Sequence, residues 1–261
     1  MTPTVEMATV PAVEAPLRTR RHSEWPPLFQ SLLIVVVIAI FSITFVVQAF
    51  QIPSDSMENT LLTGDYLLVD KLCYGAAPNA FFMPYRAVQR GDIIVFKYPV
   101  DPSQHFVKRV VGVPGDRVKL VNRQVYVNGV ALQEPYARHV YQTPDEFRDN
   151  FPQLNVSVAG LEGKWWLEMK QLVKNGELVV PPGKYFVLGD NRDDSEDSRY
   201  WGFVPRANIV GRPLIIYWSM REMDPQGVTG GNASDRLLHL EYAVAHFYQI
   251  TRWKRTFLVV K

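Results

Sequence analysis

Three stretches of this chain hold side chains that could do chemistry. The first is IPSDSMENTLLTGD, Ile52 to Asp65, in which Ser54 and Ser56 flank Asp55. Serine is a weak nucleophile until a neighbouring base takes its proton. A serine pair in a loop is ordinarily a turn or a cap. Position raises these two, because they follow directly on a long apolar run, where a substrate held in a bilayer would present itself. The second stretch is HFVKRVVGVPGD, His105 to Asp116, with Lys108 among Phe106, Val107, Val110 and Val111. On a strand, Phe106, Lys108 and Val110 point to one face. Burial disfavours an ammonium, lowers its pKa and makes the amine a base. The plainer alternative is an edge-strand lysine facing water. Val113-Pro114-Gly115-Asp116 is turn chemistry in either case.

The third stretch is GDNRDDSEDSRYWGF, Gly189 to Phe203, which packs Asp190, Arg192, Asp193, Asp194, Asp197 and Arg199 around Ser195 and Ser198. Tyr200, Trp201 and Phe203 follow at once and imply burial, and buried carboxylates need partners that the two arginines can supply. A calcium loop of the EF-hand kind would need a glycine at its sixth position and a closing glutamate, which this run lacks.

The rest of the composition narrows the choice. The five histidines are scattered without metal-ligand spacing, so no metal or organic cofactor is expected. Cys73 is the one cysteine, which rules out an intrachain disulfide and reads as a buried, inert thiol. A net charge of +2 asks for no nucleic-acid partner.

The elements that must position these residues follow from the pattern. From Trp25 to Ser54 no side chain is charged, and SLLIVVVIAIFSITFVVQAF has the length of a membrane-spanning helix, about twenty residues. Its apolar run is too long for the core of a removable signal peptide. The expected anchor is 28–50, after a disordered cytoplasmic tail at 1–27 that includes three prolines by residue 17. Arg18, Arg20 and Arg21 precede the span, and the first basic residue after it is Lys71, so the amino terminus is expected in the cytoplasm and the rest outside.

Beyond the anchor, DYLLVDKL, GDIIVFKY, FVKRVVGV, DRVKLV, QVYVNGV, GELVV and KYFVLGD are strand-length and bounded by turn residues. Asn128-Gly129 and Asn175-Gly176 fit hairpin turns. A mainly β, antiparallel domain over 51–221 is expected, with an inserted subdomain at 135–172 where the pattern loosens. The segment 222–261 is ambiguous: Leu237, Leu240, Val244 and Phe247 fit a helix, while Leu238, Leu240, Tyr242 and Val244 fit a strand. Trp253 with Arg252, Lys254 and Arg255 suits either a membrane surface or ordinary packing.

Taken in order behind an apolar span, these blocks resemble the type I signal peptidases, which are Ser/Lys-dyad peptidases. The serine box is similar to Ile52-Pro53-Ser54-Asp55-Ser56-Met57, and the next box to Gly64–Lys71 with Tyr74-Gly75. The lysine box is similar to Lys108–Asp116, and the last to Gly189–Ser195 with Asp197-Ser198-Arg199 and Trp201-Gly202. The resemblance runs from Gln51 to Tyr217, with Ile209-Val210-Gly211-Arg212 and Trp218-Ser219 at its end. It departs at Asp55, where a small residue is common, and at Asn59, where proline often precedes the threonine.

The resemblance implies Ser56 as nucleophile, Lys108 as general base, and an oxyanion held by the Ser56 amide and the Ser54 hydroxyl. It implies that Ser195 orients Lys108, and that Asp190, Arg192, Asp197 and Arg199 hold the supporting loop together. It implies a serine endopeptidase in a bacterial-type inner membrane, without cofactor. The enzyme would act as a monomer beside the lipid bilayer on secretory preproteins with small residues before the cut. An apolar edge at Phe81, Phe82 and Met83 is expected to face the lipid. The rivals are a self-cleaving Ser-Lys regulator, which would be soluble and carry a DNA-binding module, and a non-catalytic anchored β scaffold.

Overall fold

The structure is a computed structural model that describes residues 26–74, 86–155, 160–221 and 246–260. It divides into two units, 1–40 and 41–261. The tail before Pro26, the edge at Phe81, Phe82 and Met83, and the ambiguous stretch from Leu237 to Val244 lie outside the described residues.

A helix runs from Pro27 to Phe41 and continues as a π turn, Ser42–Val46, making 20 uncharged, mostly apolar residues in all. None of the Pro27–Phe41 side chains is buried in protein, and Leu32, Ile34, Val35 and Ile40 are each more than half exposed. The helix is long and apolar enough to cross a membrane. The expected anchor overruns the helix. Val47–Phe50 belongs to a strand paired residue by residue with Asp70 to Leu67. Hydropathy cannot separate the two, because a strand rich in Val and Phe is as apolar as the helix before it.

The strands are β1 Val47–Gln51, β2 Asp65–Asp70, β3 Ile93–Lys97, β4 His105–Gly112, β5 Arg117–Val121, β6 Gln124–Val127 and β7 Val130–Ala131. They continue with β8 Val173–Lys174, β9 Glu177–Val179, β10 Lys184–Leu188, β11 Val204–Pro205, β12 Ile209–Ser219 and β13 Leu258–Val259. All described pairings between them are antiparallel. The larger sheet has the order β1-β2-β12-β3-β4-β10-β11, with β13 on β12; the smaller has β7-β6-β5-β9-β8.

The strand alternation divides the core. In β3, Ile94 and Phe96 enter one cluster with Val110, Val187 and Trp201, while Ile93 and Val95 enter another with Ile52, Met57, Leu61 and Ile216. A strand buried on both faces reads as the uninterrupted run IIVF. The smaller sheet covers a third cluster. The loosened region 135–172 supplies part of its lid: the helix Gly163–Leu172 buries Trp165 and Met169 there, and Phe151 joins them. Asn128 and Gly129 have φ of 54° and 81°, and Asn175 and Gly176 have 52° and 74°, as the two hairpin turns require.

Candidate active site

Ser56 lies in a single 3-10 turn, Asp55–Met57, on the loop between β1 and β2. The loop is closed at its base by Ile52 N–H donating to Asp65 O at 2.9 Å and Gly64 N–H to Ile52 O at 2.9 Å. Met57 and Leu61 are buried beneath it, so the turn is seated from below. Gly64 has φ of 83° and lies so close to the next chain segment that a Cβ there would stand 2.3 Å from Met220 O. Asn59 has φ of 97°, a value closed to proline, and its side-chain amide donates to Tyr136 O at 2.9 Å. Asp55 accepts from Thr63 Oγ1, turned to its own loop.

Lys108 projects from β4 with 4% of its surface exposed, and its Nζ donates to Ser56 Oγ at 2.5 Å. The Phe106 ring lies beside it, 5.7 Å from Nζ, as expected of strand neighbours on one face. No carboxylate ion-pairs with Lys108 among the described residues. Burial therefore dominates and pulls its pKa down to about 8, against the pull of Asp197, Glu196 and Asp190 and with help from Arg199. Once the amine loses its proton, the same contact reverses, and the Ser56 hydroxyl donates to it.

Ser54 Oγ is 3.4 Å from Ser56 Oγ and exposed. The Ser56 amide lies in the first turn of its helix, where an N–H has no intrahelical partner. The pair opens into a groove of about 460 Å³. Phe50 to Ser54 and Gln104 to Lys108 line it, with Asp194 and Glu196 from the third stretch. β10 pairs β4 only along Arg109–Gly112, which leaves His105–Lys108 as a strand edge on that side.

The third stretch supports the pair, with partners that differ in part from the expected ones. Asp197 and Arg199 do pair within the loop, bidentate at 2.8 Å and 2.8 Å, both buried. Asp190 instead takes both donors of Arg109, at 2.8 Å each, on the strand that carries Lys108. Arg192 reaches Glu134, at 3.0 and 2.6 Å, at the edge of the 135–172 region. The loop is therefore tied to itself, where Arg192 Nε donates to Gly189 O and Arg199 Nη2 to Arg192 O, and also to β4 and to the segment after β7.

The Ser195 hydroxyl, expected to orient Lys108, is buried and without a hydrogen-bond partner among the described residues. It lies over Gly189, where the missing Cβ would be 2.2 Å from Ser195 Oγ. From this loop Asn191 reaches Ser56. Its N–H donates to Ser56 O at 3.1 Å and its side-chain amide to Asp55 O at 3.3 Å. Sequence reasoning misses Asn191, Arg109 and Glu134, although Arg109 adjoins Lys108 and Asn191 lies inside the densest block. Cys73 is only partly buried; burial first, then Asp70, pushes its thiol up to about 11, so it is a poor nucleophile.

A family model described as signal peptidase, peptidase S26, matches residues 25–218. The chain belongs to this family. Among its curated relatives, a signal peptidase I of Buchnera aphidicola subsp. Baizongia pistaciae (strain Bp) is 33% identical, covering 77% of this chain and 79% of the relative. That of Aquifex aeolicus (strain VF5) is 34% identical over 72% and 82%, and that of Pseudomonas fluorescens 36% over 74% and 71%. A crystal structure of a signal peptidase I from Enterococcus faecalis V583 aligns at 36% identity over 49% of this chain and 97% of that one, with a TM-score of 0.37. Signal peptidases of this family are serine endopeptidases associated with the bacterial membrane, and this chain is one by descent.

Proposed function

We propose that Ser56 and Lys108 are the nucleophile and the general base with which this chain removes N-terminal signal peptides from secretory preproteins. The observation that carries the assignment is the 2.5 Å contact between Ser56 Oγ and a buried amine that has no carboxylate partner among the described residues. Neutral Lys108 accepts the hydroxyl proton while Oγ attacks the scissile carbonyl. The oxyanion is met by the Ser56 amide and by Ser54 Oγ–H, turned from its neighbour; one such donor contributes about 3–4 kcal/mol in comparable sites. The Lys108 ammonium then protonates the departing amine, leaving the signal peptide as an ester on Ser56. A water enters and attacks the ester as Lys108 takes its proton; the C–Oγ bond breaks, Lys108 returns that proton to Ser56 Oγ, and the signal peptide leaves as its carboxylate. The Asn191 side-chain amide holds the Asp55 carbonyl, which shares its peptide plane with the Ser56 amide and so fixes the direction of that N–H.

The free edge of His105–Lys108 offers backbone groups to an extended substrate. The groove between that edge and Phe50–Ser54 would take the small residues before the cut. The apolar helix anchors the enzyme, with the amino terminus in the cytoplasm and the domain 51–221 outside. Both members of the pair come from one chain, so a monomer suffices. No observation favours the scaffold alternative. The test is intact-mass spectrometry of acid-quenched enzyme during turnover of a peptide ester: an acyl adduct mapping to Ser56 supports the assignment, and an adduct on any other residue refutes it.

A further inference from the structure

The last residues of the chain touch the nucleophile loop. Thr251 bridges Met220, Arg252 N–H donates to Ser219 O at 2.8 Å, and Leu258 and Val259 pair with Ile216 and Ile215. Val260 is buried in the cluster that also holds Ile52, Met57 and Leu61, the apolar residues under the Ser56 turn. Two arginines of this strap reach the loop itself. Arg252 Nη1 donates to Thr63 O at 2.9 Å. Arg255 grips fully buried Asp65, with Nη2 2.5 Å from Oδ2 and Nε 3.2 Å from Oδ1, and its Nη2 also donates to Thr60 O at 3.0 Å.

Thr60 is where this grip meets the catalytic strand. Its carbonyl is held by Arg255, and its Oγ1 donates to Asp190 Oδ2 at 2.5 Å. Asp190 in turn is clamped by Arg109, the residue after Lys108 on β4. The nucleophile loop is thus fixed on two sides four residues after Ser56. One side is the strap, 195 positions away; the other is the strand that carries the base. Lys108 and Ser56 come from separate elements, so their distance depends on how the loop sits on the strand.

The geometry points to Arg255 as a positioning residue for the peptidase reaction, acting through Thr60 to hold Ser56 in reach of Lys108. The inference rests on the reading of Ser56 and Lys108 as the reacting pair. A planar guanidinium can meet Asp65 and Thr60 O together, whereas an ammonium is a point charge. Arg255→Lys therefore keeps the charge opposite Asp65 and loses the second grip. Thr60→Val removes the link to Asp190 at nearly constant volume, and Thr60→Ser keeps it.

The test is steady-state cleavage of an Ala-x-Ala peptide by the full chain in detergent, with kcat and KM separated and the folded fraction measured for each variant. Misplacing reacting groups by about 1 Å costs about a hundredfold in rate. Arg255→Lys and Thr60→Val are expected to lower kcat by about ten- to a hundredfold, with KM within about threefold. Thr60→Ser is expected to restore most of kcat, and Lys254→Ala, an exposed neighbour on the strap, to change nothing. If Arg255→Lys and Thr60→Val lower the melting temperature yet leave kcat per folded molecule unchanged, the strap is only structural and the inference falls. If Thr60→Ser is as slow as Thr60→Val, the route through Asp190 is wrong. Full activity in Ser56→Ala would instead overturn the underlying reading, whatever the strap variants do.

Discussion

Gly189 is the tightest point between the supporting loop and the nucleophile, and Gly189→Ala tests that contact. A methyl there would stand 2.2 Å from Ser195 Oγ, 2.5 Å from Ser195 Cβ and 2.5 Å from Ser56 O. Carbon contacts settle near 3.5–4.0 Å, so something must move by about 1 Å. Ser195 can turn its hydroxyl, but its Cβ is fixed to backbone, and the Ser56 carbonyl is backbone too. Ser56 O also accepts from Asn191 N–H at 3.1 Å, so displacing it disturbs the peptide that aims the nucleophile. Overpacking of this kind costs about 1–3 kcal/mol of stability. The catalytic cost is larger: a shift of about 1 Å in Ser56 against Lys108 corresponds to about a hundredfold in kcat. Peptide cleavage with kcat and KM separated, beside a thermal melt to confirm folding, measures both. A folded Gly189→Ala enzyme with kcat within about threefold of wild type would sink this prediction, because the loop would then have slack where the structure shows none.

Acidity and charge give the other predictions. With the Lys108 pKa drawn down to about 8, kcat/KM should fall about tenfold per pH unit well below that value, as the amine becomes the ammonium. A profile flat from about pH 6 to 9 would count against the base assignment. Stability should respond in the same window. The unfolded lysine, near 10.5, binds more protons than the native one between about pH 8 and 10.5, so folding gains stability as pH rises there. Below about pH 8 the buried ammonium costs about 3 kcal/mol, which urea unfolding at several pH values would reveal. Glu196 holds the Lys108 pKa up, so Glu196→Gln should move the acid limb to lower pH, an effect that salt reduces because Glu196 is exposed. Glu134→Ala strands Arg192, which is 2% exposed, and should cost about 3–5 kcal/mol in a urea melt.

The candidate side chains are legible because serine, lysine and the acidic block fall in distinctive local contexts, and strands of four to eight residues between turn residues announce a β domain. Asn128-Gly129 and Asn175-Gly176 read correctly because positive φ is a local demand. What the sequence hides is long-range. Arg109 finds Asp190 across 81 positions and Arg192 finds Glu134 across 58, and nothing local selects those partners over Asp193 or Asp194. That Ser195 packs so closely over Gly189 is likewise a detail no motif encodes. The end of the anchor is blurred because Val47–Phe50 is apolar as helix or as strand, and only its pairing with β2 decides. The C-terminal strap, 246–260, gives no signal in sequence because its elements are too short to set a period: the helix Phe247–Ile250 has four residues and β13 two.

The proposed peptidase needs Ser56 and Lys108 to act together on signal peptides. Cleavage of a preprotein whose signal ends in Ala-x-Ala by wild type, Ser56→Ala and Lys108→Ala, each shown to be folded, asks the question outright. Cutting after that site by wild type alone is the expected result. Cutting at the wild-type rate by either folded variant would remove that residue from the reaction and the assignment with it.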